Sequence, residues 1–307
     1  MVRYLFKKII ILLFSLLFIV TLTFILMKVI PGDPFIQEQN VPEEILNSLY
    51  KHYGLDQPIY IQYLKYIKGF LTFDLGPSFL YEGRTVNQII YEGFPVSLIL
   101  GVQALFIAVL FGITLGCIAA IFQNKLEDSV CLLLSIFLTA IPTFLLATLL
   151  QYVFAMKLNL LPVAQWGSFS HCILPVLSLS GMPLAFIARL TRTNMVEILK
   201  QDYIKTALAK GLPYYKIIIK HALRNALIPI LAYLGHVATF ILTGSFVIEK
   251  IFAISGLGGW LISSIMNRDY TVIMGLTVFY SAFLLLLVFF IDLSYALLDP
   301  RIKITKK

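Results

Sequence analysis

Residues able to carry chemistry are sparse in this chain. Cys117, Cys131 and Cys172 sit in or beside apolar runs, and no two of them show metal-ligand spacing. They read as small buried hydrophobes. His52, His171, His221 and His236 are scattered and form no ligand set. No nucleophile stands in a pattern with a base, so no catalytic constellation and no metal site is expected. The run Gly256-Leu257-Gly258-Gly259 lacks the Gly-Lys-Ser/Thr ending of a phosphate loop. It reads instead as a turn re-aiming a short helix. What remains are polar residues inside apolar runs, which in a membrane are functional candidates by default. Two roles fit Gln103 and Gln151: a hydrogen bond between helices, or a place on a pore lining. Two also fit Asp292, at the end of the last apolar run: pairing with a base such as Arg189, or facing a pore. No carboxylate lies deep in an apolar run, where a proton relay would need one. A bare-ion channel would want rings of charge or carbonyls. The pattern suits a mildly polar conduit.

The elements that position these residues follow from composition. The chain has 307 residues, 59% hydrophobic and 13% charged, with mean hydropathy +0.89. Soluble domains carry about 25% charged residues, so these charges cannot cover a globular surface in water. A helix needs about 20 apolar residues to cross a membrane. Six segments approach that length: Ile9–Val29, Val96–Phe122, Val130–Met156, Ile173–Leu190, Ala226–Ile248 and Thr271–Ile291. Unsatisfied backbone groups are too costly in lipid for anything but helices there. The expected fold is therefore an all-α polytopic membrane protein with six transmembrane helices, in one domain over residues 1–307. The fourth segment contains Pro175, Gly181 and Pro183 and should be kinked and packed inside the bundle. The first follows Arg3, Lys7 and Lys8 like a signal peptide, but the run is too long for one and no cleavage site follows; it is expected to be retained.

Loop charge sets orientation. The N-terminus, the segment between the fourth and fifth helices and the C-terminal tail are all basic, and six spans put them on one side. Both termini are thus expected in the cytoplasm. The short loop Gln123–Asp128 falls on that side too, although Lys125, Glu127 and Asp128 do not favour it. The net charge of +8 needs no nucleic-acid partner, since no basic patch is interleaved with stacking aromatics. The acid-rich loop from about 31 to 94 lies outside. Apolar spacing in it predicts short helices over Glu43–Tyr53 and Pro58–Phe70. They serve either as a lid packed on the bundle or as a gate or docking surface.

The basic segment of about residues 191–225 is not a loose linker. Thr193 or Asn194 is a good N-cap. A helix is expected from about Asp202 to Lys210, with Tyr203, Ala207 and Leu208 on one side and Lys205 and Lys210 exposed. Gly211 stops it as a left-handed cap, Pro213 follows, and a further helix starts at Tyr214. Such a helix, held across the ends of two spans, serves either as a lever or as an amphipathic surface helix with lysines at lipid headgroups.

DYIKTALAKGLP followed by KHALRNALIP resembles the cytoplasmic loop of binding-protein-dependent ABC importer permeases of the dipeptide/oligopeptide/nickel group. That loop carries an acid, two alanines and, four residues after the second, a glycine. Ala207 and Gly211 fall at the last two places, whereas the acid and first alanine are not kept; Asp202 is the nearest acid. The resemblance extends through TLTFILMKVIPGDPF, YGLDQPIYIQYLKYIKG, DLGPSF, GFPVSLILG, LPVAQWGS, MPLAFIARLTRTNM, GSFVIEKIFAISGLGGWLISSIMNRDYTVIMG and DLSYALLDPRIK. It covers essentially the whole chain and is strongest to the B-type subunit. It implies a type I importer permease fold in the cell (inner) membrane, without an ATPase site or cofactor of its own. It implies as partners a second homologous permease, two cytoplasmic ATPase subunits that use the ATP, and an external substrate-binding protein. Asp202, Lys205, Thr206, Ala207, Lys210 and Gly211 would form the ATPase-coupling surface. The implied substrate is an oligopeptide, with a dipeptide or a nickel or metal chelate as alternatives. A secondary transporter acting alone is the rival class.

Overall fold

A computed structural model of the chain describes residues 2–30, 43–81, 83–242 and 246–298. The first half holds α1 (Val2–Val29), α2 (Glu43–Tyr53), α3 (Ile59–Leu71), α4 (Val86–Ile121), α5 (Leu126–Ala140) and α6 (Thr143–Leu150). A π-helical turn, Gln151–Lys157, extends α6. Then come α7 (Phe169–Leu199), α8 (Asp202–Ala209), α9 (Tyr214–Lys216), a second π-helical stretch at Ile217–Leu223, and α10 (Arg224–Leu242). The last are α11 (Phe246–Ile251), α12 (Leu257–Met266) and α13 (Tyr270–Leu298). No β-strand occurs among the described residues. Among the described residues, four helices are long and apolar enough to cross a membrane, and the count rises to as many as six when each of two bent pairs is taken as one span. The chain is an all-helical polytopic membrane protein. The two short helices expected in the long loop are present as α2 and α3.

The chain divides into two compact units, Met1–Val96 with Ser255–Lys307, and Ser97–Ile254. In the first, α1 packs along α13. Val20 and Phe24 are buried, while Phe14 and Phe18 stand on the outer face where lipid would lie. The Phe94 ring sits 5.0 Å edge-on from both Phe279 and Phe283. Asp269 is the knot of this unit. Its carboxylate accepts from the Ser78 hydroxyl, from the Phe79 N–H (3.2 Å) and Leu80 N–H (3.3 Å), and from the Val272 N–H at the start of α13 (3.3 Å). It is 1% exposed, so one buried side chain both caps α13 and ties down the 78–80 turn.

In the second unit α7 is the hub: α5, α6, α10 and α11 all pack on it. It is the most buried of the four long apolar helices, as its irregular sequence implied. Its hydroxyls bond back into their own helix, Ser178 to the Leu174 carbonyl and Thr191 to the Ile187 carbonyl, both at 2.7 Å. Small residues let α4 approach it closely. A Cβ on Gly112 would lie 2.8 Å from Ile187, and one on Gly116 would lie 2.5 Å from the Ala188 carbonyl oxygen. This is the small-residue spacing by which membrane helices pack without a hydrophobic driving force.

Four boundaries differ from the sequence expectation. Helix α4 begins at Val86 rather than Val96 and carries Pro95 within it. The third apolar segment is not one rod: α5 and the α6–π segment meet at 106°. Pro142 has no N–H for the helix ladder and pushes Ile141 into an extended conformation (φ −88°, ψ 124°). The fourth segment runs to Leu199, with no cap at Thr193 or Asn194. Instead, Thr193 Oγ1 donates to the Arg189 carbonyl (3.0 Å), and Asn194 Nδ2 donates across to the Ala226 carbonyl (3.3 Å). The fifth segment ends its first helix at Leu242, and residues 243–245 fall outside the described residues.

Candidate functional site

The segment after α7 folds as its residues dictate. Gln201 is extended (φ −71°, ψ 150°) and starts α8. Asp202 puts negative charge in the first turn, which the helix dipole favours. Lys205 Nζ reaches the Asp202 carboxylate (2.8 Å), and Thr206 Oγ1 donates to the Asp202 carbonyl (2.9 Å). The end is a Schellman motif. Gly211 N–H donates to the Leu208 carbonyl (2.9 Å) and Leu212 N–H to the Ala207 carbonyl (3.3 Å). Gly211 takes φ +75°, the left-handed conformation that costs other residues strain. Pro213 then starts α9, accepting from the Lys216 N–H (2.9 Å).

Helix α8 is clamped on one face. Ile204 and Ala207 are buried, in a cluster with Ala120 at the end of α4, Met195 on α7, Ile217, Ile218 and Ala222 on the π-helical stretch, and Ala226 on α10. Fully burying an isoleucine side chain contributes about 1.5–3 kcal/mol. Asn225 Nδ2 adds a bond to the Tyr203 hydroxyl (2.9 Å). One short helix therefore touches the ends of three membrane helices. Irregular π-helical turns often mark functional sites, and here one lies directly under α8.

The other face is free. Asp202, Lys205, Thr206, Lys210 and Gly211 are all exposed, with Leu208 beside them. Of the residues expected at a coupling surface, Ala207 alone lies on the buried side. The remaining expected residues are dispersed. Gln151 Nε2 donates to the Val163 carbonyl (2.7 Å). Gln103 Oε1 is buried and meets no hydrogen-bond partner among the described residues. Asp292 lies in α13, and its side chain falls outside the described part.

A feature that sequence reading missed sits beside the clamp. Arg192 on α7 grips Asp128 at the start of α5 with two bonds, Nε to Oδ1 at 2.5 Å and Nη2 to Oδ2 at 2.7 Å. The Asn124 N–H supplies a third bond (2.9 Å). Asp128 is 3% exposed. A bidentate pair of this kind is strong and directional. Its trace in the sequence is an acid in a loop whose charge ran against its expected side, with an arginine toward the end of the next apolar helix but one.

With fold and site in hand, similarity to known proteins places the chain. Residues 112–304 match the family described as binding-protein-dependent transport system inner membrane component, and residues 1–101 match the N-terminal component of the same systems. The chain belongs to this family of multi-pass inner-membrane permeases. It is 52% identical to a dipeptide transport system permease protein of Bacillus subtilis, over 100% of both chains. It is 39% identical to an oligopeptide transport system permease protein of Haemophilus influenzae, over 99% of this chain and 100% of that one. Two solved transporters share the fold. A methionine ABC transporter in inward-facing conformations aligns over 67% of this chain and 93% of its own, with TM-score 0.53 and 17% identity. An amino acid ABC transporter aligns over 69% and 94%, with TM-score 0.55 and 18% identity.

Proposed function

We propose that this chain is one permease subunit of an ATP-driven peptide importer, and that α8 is the helix through which separate ATPase subunits drive it. The observation that carries this is the two-faced α8: Ile204 and Ala207 are clamped across the ends of α4, α7 and α10, while Asp202, Lys205, Thr206, Lys210 and Gly211 stay free. A rigid body so held transmits a push on its free face to three spans at once. A helix lying passively on lipid would not need that clamp. The chain does no chemistry; ATP is hydrolysed by its partners. A second homologous permease completes the pore, and an external binding protein delivers the substrate. Basic segments put both termini and α8 in the cytoplasm.

Peptide is the substrate class because peptide permeases are similar over the whole chain. The 52% identity to the Bacillus subtilis dipeptide permease favours short peptides, whereas the relatives near 40% do not separate short from long. A dipeptide permease of Lactococcus lactis stands at 40% and an oligopeptide permease of Escherichia coli also at 40%. The test is reconstitution of the chain with its neighbouring subunits in vesicles, with uptake measured over peptides of graded length and a nickel chelate. ATP-dependent peptide uptake is expected. A gently solubilised complex that never retains an ATPase would defeat the reading in favour of a transporter acting alone.

A further inference from the structure

The first unit contains a half-open cavity of about 450 Å³, lined by the end of α1, α2, α3, the 74–79 segment and the start of α13. That is within the range of about 300–1,000 Å³ typical of small-ligand sites. Its wall is aromatic, with Phe24, Tyr53, Phe70 and Phe79 among the rings. Phe24 packs on Tyr66 (5.9 Å between centroids), and Tyr53 on Phe79 (4.7 Å).

Set in this wall are groups of both charges. Lys28 and Lys65 line it on one hand and Asp74 on the other. Lys28 donates to Gln62 Oε1 (2.5 Å), and Asp74 Oδ1 accepts the Gly76 N–H (3.3 Å). Neither lysine has an ion-pair partner among the described residues. Tyr66 and Thr271 also line the cavity, although their hydroxyls turn away from the accessible space and meet no hydrogen-bond partner among the described residues. An aromatic wall with a few charged groups converging on it is the usual make-up of a small-ligand site.

We infer that this cavity is a binding site for a short zwitterionic peptide. Its carboxylate lies toward Lys65 and Lys28, its ammonium toward Asp74, and its apolar side chains among the rings. The inference rests on the peptide reading proposed above and adds a contact site in the permease itself. An anionic lipid headgroup is the less suitable guest, because it would bring a second negative charge against Asp74. In the proposed topology the end of α1 is external, so the site would meet substrate before the pore does.

The test uses the reconstituted complex in nanodiscs of defined lipid, titrated calorimetrically with the dipeptide Phe-Leu and with its N-acetyl and C-amide forms. The free dipeptide should bind about tenfold more tightly than either blocked form, as expected for charge-assisted hydrogen bonds. Lys65→Met should abolish discrimination against the C-amide, and Asp74→Asn discrimination against the N-acetyl form. Lys28→Met keeps most of the side-chain stem and should weaken the free dipeptide about three- to tenfold. Equal affinity for blocked and free forms would overturn the inference, as would unchanged affinity in all three variants. Occupancy by a phospholipid, or by residues 31–42 of the chain itself, would overturn it too. If wild-type complex takes up peptides while the variants bind and transport normally, the site fails and the peptide reading stands. If wild-type complex takes up no peptide, both fail.

Discussion

Gly211 isolates the backbone contribution to α8, the proposed coupling helix. It sits at φ +75°, and a Cβ added there would meet nothing within 4 Å. Any cost of substitution is therefore conformational and not steric. A left-handed L-residue costs about 1–2 kcal/mol. Loss of unfolded-chain freedom on replacing glycine returns about 0.4–1 kcal/mol. The net for Gly211→Ala is about 1 kcal/mol, a factor of about 5 in the population of the native turn. Gly211→Asn should cost less, since asparagine visits this region more readily, and Gly211→Val more, because a β-branched residue resists it. Relaxing φ would break the Gly211–Leu208 and Leu212–Ala207 bonds that join α8 to α9. The assay is twofold: thermal unfolding of the purified complex, and peptide uptake per ATP hydrolysed in proteoliposomes. The order Gly, Asn, Ala, Val should hold in both, with hydrolysis persisting as uptake falls. Equal unfolding temperatures for Asn and Val would refute the strain argument. Normal uptake per ATP in the Val variant would refute the coupling role.

Three further outcomes follow from buried contacts. Removing one partner of the Asp128–Arg192 pair, as in Arg192→Met, should cost about 3–5 kcal/mol, while Asp128→Leu with Arg192→Met should recover most of that loss; thermal unfolding of the four corners of the cycle decides it. Asp269→Ala removes the cap of α13 and the acceptor for Ser78, Phe79 and Leu80, and should cost at least about 2 kcal/mol, read as early proteolysis at the 78–81 turn. Gly116→Leu drives a side chain into the Ala188 backbone and should destabilise by about 1–3 kcal/mol or more, whereas Gly167→Leu, which faces open space, should leave the unfolding temperature unchanged.

Much of α8 was legible because its signals are local. Asp202 at the start, Gly211 and Pro213 at the end, and apolar residues at helical spacing lie within a dozen positions, and helix stops of this kind act through the backbone of the same few residues. The same holds for α2 and α3. The membrane class was legible for a different reason: burial in lipid depends on composition over some 20 residues and needs no partner. Proline was the ambiguous sign. Pro95, Pro175, Pro183 and Pro229 lie inside helices, whereas Pro142 breaks one. Inside a bundle, neighbouring helices can satisfy the carbonyl that a proline orphans; whether they do depends on what packs alongside.

By itself, then, the sequence determined the all-helical membrane class, the basic segments on which the proposed orientation rests, the short helices in the long loop, and the start and stop of α8. Tertiary structure alone decided which face of α8 is clamped, that Asp128 answers Arg192 across 64 positions, that Asp269 ties the 78–80 turn to α13, and that aromatic rings and unpaired charges converge on one cavity. Those are meetings between residues distant in the chain. Their energies come from excluding water and lipid from specific pairs, and no local pattern encodes which pairs will meet.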